Sequence, residues 1–230
     1  MTYQRYGRRL PVTDAQGRLV CLLAWSVPSA SIIIATLLHL FDSPRAIPFF
    51  VSEVDEKGLQ EIIFTAGLSF SGITQLIYAW HLYHTLDAQR PRLWFAATLI
   101  GLVAAVNCVL VSHYDMFDFM DEHIITAMLA FGGGVLWAVL SVPALGRHGT
   151  AAGQRMRKIG GGMAAFGFVV MLAAFNPVAS STDTTGMTTK EFLNEFQEAI
   201  VVAAPAEYVL VAGLMICIAS YRHELVEGRD

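Results

Sequence analysis

Along this chain apolar residues run in long unbroken stretches, separated by short polar strips. They show neither the alternation of a half-buried strand nor the polar stripe of a soluble amphipathic helix. Six such stretches cover residues 19–41, 62–82, 93–112, 124–142, 159–178 and 199–220. Each approaches the roughly 20 residues that a helix needs to cross a hydrocarbon core about 30 Å thick. Closed barrels are excluded because the runs are continuous. The strip SHYDMFDFMDEH divides the third stretch from the fourth. The pattern predicts an all-α polytopic membrane protein: one six-helix domain over residues 19–221, with tails at 1–18 and 222–230.

Composition agrees: of 230 residues, 55% are apolar and only 15% charged, too apolar for a soluble domain of this length. The six spans and their connections leave no length for a separate soluble domain, and a nucleic-acid partner is excluded on the same ground. The first span is too long for a signal-peptide core and is read as retained. Cys21, Cys108 and Cys217 lie within apolar stretches and are odd in number. They read as packing residues, not as a disulfide framework.

Charge gives the orientation. Twelve of the 15 cations fall in the tails and the even-numbered loops, and only Arg45, Lys57 and Lys190 lie opposite. Lys and Arg in short loops stay cytoplasmic, so both termini are placed inside. The three opposite loops, 42–60, 113–123 and 179–198, are net acidic. The small overall charge of −4 therefore conceals an acidic outer face and a basic inner one. In the last outer loop, Thr188 with Glu191 three residues on forms a capping-box pattern. This places a helix start near Thr189, with Glu191, Glu195 and Glu198 in water and Pro205 deeper in the helix. It is the one loop expected to hold structure of its own. Gly132, Gly133 and Gly134 in the fourth span, and Gly160, Gly161, Gly162 and Gly167 in the fifth, predict close packing of these two helices.

Polar residues within spans are costly and mark candidate sites. Glu207 is the first, about 12 Å below the start of the sixth span at 1.5 Å per residue. It needs a polar partner or a cavity. Gln75 and Asn107 are mid-span amides that could line the same cavity or join helices. His39, His113 and His123 end three different spans on the outer face, close to carboxylates. Ligand type alone would suit zinc, but no two share a helix at ligand spacing, so no metal is assigned. His123 is expected to bond across the bundle, to the first outer loop around Ser52 and Glu53 or to the third span. His81 and His84, with Trp80 and Tyr83, read as an interfacial belt. No phosphate loop, nucleophile elbow, zinc-protease motif or redox pair occurs.

The first outer loop reads IPFFVSEVDEKGLQEIIF. With Pro48, Ser52, Glu53 and Phe64, it resembles the signature of the DRAM/Frag/Sfk family of eukaryotic six-span membrane proteins. It departs at Leu59 and Gln60, where that family usually has Pro-Glu. His123, Ala127 and Phe131 resemble its fourth-span pattern, and Glu207 with Tyr208 its last-span pair. Members of that family include autophagy modulators of lysosomes, a Golgi factor for lipid remodelling of GPI anchors, and plasma-membrane proteins that help position a phosphatidylinositol 4-kinase. The resemblance implies a non-catalytic protein that binds or organises lipid, phospholipid included, and docks other membrane proteins. It carries over no catalytic residue. The alternatives are a lipid-remodelling enzyme with an outer-leaflet site at Glu207, His123 and His113, and a structural subunit of a larger membrane complex.

Overall fold

The computed structural model describes residues 14–42, 44–182 and 186–225. Arg5, Arg8, Arg9 and Arg229, counted above for orientation, lie outside them. Seven α-helices account for most of the described chain: α1 (Asp14–Phe41), α2 (Leu59–Thr85), α3 (Pro91–Val111), α4 (Met120–Leu145), α5 (Ala151–Ser181), α6 (Thr189–Glu195) and α7 (Gln197–Ser220). All but α6 are long and apolar enough to cross a membrane. No strand occurs among the described residues.

The helix ends follow local chemistry. Pro91 occupies the first turn of α3, where no N–H is needed. Gly146, at φ 52°, ends α4 in a conformation that strains any side chain. Thr150 caps α5 by accepting a bond from the Gly153 N–H at 3.0 Å. The capping box at α6 is present: Thr188 Oγ1 accepts from Glu191 N–H, and Glu191 Oε2 accepts from Thr188 N–H. The helix it starts breaks at Phe196 before α7 begins. Glu191, Glu195 and Glu198 are exposed.

The six long helices form a closed ring in chain order, each packed on the next, with α7 returning to α1 and also touching α4. Apolar side chains such as Ile33, Ile62, Phe166 and Val169 face outward, as lipid solvation allows. One end of the ring gathers the acidic loops and the other gathers the basic ones. The ring's tightest seam is α5 on α7. Here the expected glycine packing of α4 on α5 is corrected. A Cβ on Gly160 or Gly167 would lie within 2.6 Å of the α7 backbone, at Gly213 O and Ala206 O respectively. Gly133 instead faces Ala104 of α3, and Gly134 faces Leu214 of α7. Only Gly161, near Ala138, and Gly132, near Phe168, lie on the α4–α5 seam.

At the basic end Arg157 is fully buried, although its neighbours read as loop cations. Its guanidinium donates to Glu224 at 2.6 and 3.1 Å and lies 4.6 Å from the centre of the Tyr221 ring. Glu224 also accepts from the Thr150 N–H and hydroxyl, both at 3.1 Å. The segment after α7 is thereby fastened to the start of α5.

Candidate functional site

The first loop at the acidic end is not a solvated connection, contrary to the expectation that only the last such loop holds structure. A short 3-10 helix, Val51–Asp55, enters the ring as a plug between α1, α2 and α7. Val51 and Val54 pack with Phe49, Phe64 and Leu68 in an apolar cluster. This insertion is what lets two carboxylates, Glu53 and Asp55, lie in the interior, each in a specific environment.

Glu53 Oε1 accepts from the Phe50 N–H at 2.9 Å, and Oε2 pairs with Arg45 at 3.0 Å. Burial pushes its carboxyl above the ordinary value, against the pull of that N–H and of Arg45. The same guanidinium donates to Asn194 Oδ1 at 3.0 Å and Gln197 Oε1 at 2.7 Å, binding the plug to α6 and α7. Gln197 returns a bond to Pro48 O at 3.0 Å. Pro48 follows a cis peptide bond.

Asp55 is buried, with only Thr65 bonding one oxygen at 3.3 Å and the other oxygen unpartnered among the described residues. Burial pushes its carboxyl up to about 7, reinforced by Asp115 and Glu61 and opposed by Thr65. A raised folded value means that the folded protein retains the proton. Asp55 therefore weakens the fold progressively as pH rises from the ordinary carboxylate range to about 7. Asp55→Asn should show a stability advantage over the wild type that grows across this window and is constant above it. Thermal unfolding of both proteins from pH 4 to 8 measures this, and parallel curves would contradict it.

Glu207 is the plug's latch. It is 4% exposed, and its Oε2 accepts from the Val51 N–H at 2.7 Å. Glu207→Gln keeps an acceptor for this N–H, whereas Glu207→Leu strands it. The leucine variant is expected to be less stable than the glutamine variant by roughly 1–3 kcal/mol. Equal unfolding temperatures for the two would remove Glu207 from this role.

The other candidates divide. His123 is 5% exposed, but its bond is not to the plug or to the third helix. Its Nδ1 lies 2.6 Å from Tyr114 O, in the turn between α3 and α4. That turn carries α4 back beside α3 and brings the Tyr114 carbonyl against the His123 ring. His113 is exposed, with Nε2 3.0 Å from Ser69 Oγ. His39 is buried, with its ring against Phe49. The three histidines thus have three separate partners, and no group of three or more potential ligands gathers among the described residues. Asn107 bonds within its own helix, to Val103 O at 2.9 Å. Gln75 donates across to Ala24 O at 3.3 Å.

Two cavities meet at the plug. A narrow central one of about 120 Å³ runs from Val51, Ser52 and Glu207 down past Phe64, Gln75 and Phe131 to Trp137 and Ile218. A wider groove of about 470 Å³ lies between the acidic-end halves of α4 and α5. Exposed Asp121, Ile124, Asn176 and Met187 line its rim. Ser52, His123, Ala127, Phe131 and Glu207 line both cavities. Residues from three separated segments therefore converge on one junction, and all five are among the residues that carried the sequence resemblance.

Residues 16–226 match the family model described as the Frag1/DRAM/Sfk1/Cwh43P N-terminal domain. The chain belongs to this family. No curated protein and no solved structure matches it significantly. As a Frag1/DRAM/Sfk1/Cwh43P domain, it is an integral, multi-pass membrane protein. Its signature loop is the plug, and its fourth-span and last-span motifs form the walls facing that plug. Sequence reading missed the role of Arg45 in this family member. Arg45 is one of only three cations in the acidic loops, and that rarity was the available signal.

Proposed function

We propose that this protein binds a membrane lipid in the α4–α5 groove and, through it, takes part in organising the bilayer and its protein partners. The observation that carries the reading is the junction of an open, apolar groove with a buried polar cluster. The groove has the volume of ligand sites in general, about 300–1,000 Å³. Its length along α4, from Met120 to Phe131, is about 16 Å at 1.5 Å per residue, close to one leaflet of a core about 30 Å thick. Five of the chain's nine methionines line it: Met116, Met120, Met128, Met171 and Met187. Such side chains adapt to flexible apolar ligands. The narrow central cavity can take the end of a chain but not a headgroup.

Saturable photo-crosslinking with a diazirine-bearing lipid tests the reading. Labelling is expected in residues 120–131 and 171–179, with competition by unlabelled lipid and loss in Ala127→Phe, which fills the junction. Uniform, uncompeted labelling that includes the outward face at Phe166 and Val169 would reject it.

The orientation that delivers this groove to the outer leaflet rests on the cation distribution. Glycosylation acceptors engineered into 42–60 and 179–198 should be modified, and one within 147–158 should not. Modification of the last would reverse the orientation. The basic end then faces anionic cytoplasmic lipids and is the surface offered to soluble partners.

A further inference from the structure

Three polar side chains meet where the two cavities join, and their unused hydrogen-bonding capacity is specific. Tyr114 O is a carbonyl and can only accept, so the His123 proton sits on Nδ1. In the neutral ring this leaves Nε2 as an acceptor, and the His123 ring makes no other hydrogen bond among the described residues. Glu207 uses Oε2 for the Val51 N–H and leaves Oε1 for the cavity. The Ser52 hydroxyl has no partner among the described residues, and it lines both cavities. His123 and Glu207 are each more than nine-tenths buried. Their open positions are therefore reached through the cavities that both residues line.

The second observation is one of charge. No Lys or Arg lines either cavity. Arg45, beside the plug, has its nitrogens directed to Glu53, Asn194 and Gln197, and Lys190, next to groove-lining Thr189, pairs with Glu56. A phosphate brought to the junction would meet Glu207 and Asp121 and no counter-charge. Burying an unpaired anion is strongly unfavourable. A ligand group that donates a hydrogen bond without negative charge meets an acceptor nitrogen, a hydroxyl and a carboxyl oxygen.

We infer that Ser52, His123 and Glu207 bind the free hydroxyl of an uncharged lipid and discriminate against phosphate-bearing lipids. The inference rests on the groove reading above and deepens it. The hydroxyl O–H donates to His123 Nε2, and its oxygen accepts from Ser52. The attached chain then runs either down the central cavity or out along the groove. Two lipid types carry this chemistry: a diacylglycerol, on a flexible backbone, and a sterol, on a rigid ring system.

The test uses the purified full chain in detergent, with native mass spectrometry as the readout. The probes are diacylglycerol, phosphatidic acid with the same acyl chains, and cholesterol. Diacylglycerol and phosphatidic acid differ only by the phosphate, so their ratio isolates the charge. Diacylglycerol or cholesterol is expected to bind about tenfold or more tightly than phosphatidic acid, and whichever of the two binds identifies the source of the hydroxyl. His123→Phe should weaken the preferred lipid by about fivefold, the worth of one hydrogen bond. Ser52→Ala should do the same without disturbing the Tyr114 contact. It serves as the second variant should His123→Phe fail to purify as a folded monomer. Phosphatidic acid binding as well as diacylglycerol, or a headgroup ratio unmoved by Ser52→Ala, would overturn the inference while leaving a lipid in the groove. Binding of none of the three, with the photo-crosslinking pattern also absent, would overturn the groove reading and this inference together.

Discussion

Arg157→Leu is expected to destabilise the protein by about 3–5 kcal/mol, the range for removing one partner of a buried ion pair. Glu224, buried in the wild type at 9% exposure, would lose the guanidinium that pairs with it. It would retain only the Thr150 N–H and hydroxyl as donors. The damage reaches further than one pair because Glu224 also supports the first turn of α5, so that helix would fray where it leaves the membrane. Arg155→Ala, at an exposed position one turn-half away, provides the control and should change stability by less than about 0.5 kcal/mol. The double variant Arg157→Leu/Glu224→Leu should lose less than Arg157→Leu alone, because an apolar pair leaves no buried charge stranded. Chemical unfolding in mixed micelles measures all three. A double variant no better than the single one would show that the capping of Thr150, and not the charge pair, dominates.

The second large effect lies on the α5–α7 seam. A Cβ at Gly213 would stand 2.5 Å from Ala164 N and 2.6 Å from Gly160 O, both backbone atoms that no rotamer change can move. Gly213→Val must therefore push the helices apart. In lipid no hydrophobic force draws them back, since association depends on close packing. A loss at or above the upper end of the usual overpacking range of roughly 1–3 kcal/mol is expected. Gly162→Val is the matched control: the same substitution on the facing helix α5, where an added Cβ meets nothing within 4 Å. It should be tolerated. Similar losses at both positions would mean that helix propensity, not contact, sets the result.

The two seams show what a sequence can and cannot convey. The six helices were legible because continuous apolar runs have one reading in a bilayer. Their ends were less so. α5 begins at Ala151, well before the apolar run at 159, and takes in Arg155, Arg157 and Lys158, which read as loop. A charge reads as solvated until its partner is known, and Glu224 lies 67 positions away. The plug was hidden for the same reason, since SEVDE is polar and short and becomes interior only through Arg45, Thr65 and Glu207. Glu207 and His123 were found because an intramembrane ionisable group is costly anywhere. Their convergence with Ser52 needed three dimensions. The glycines were rightly marked for close approach, but spacing along one helix does not say which neighbour approaches, and α7, read as the acid-bearing helix, was that neighbour.

The plug's fastenings also set an order of events during synthesis. Val51 bonds to Glu207, 156 residues later, and Arg45 to Asn194 and Gln197, 149 and 152 residues later. A nascent chain that has delivered α1 to α5 into the bilayer still lacks every one of these acceptors. Until α7 arrives, the Arg45–Glu53 pair and the Val51 N–H sit at the mouth of an open ring. The plug is therefore sealed only when the last helix takes its place in the ring, and a chain ending before α7 would leave this polar loop without its Glu207 and Gln197 acceptors.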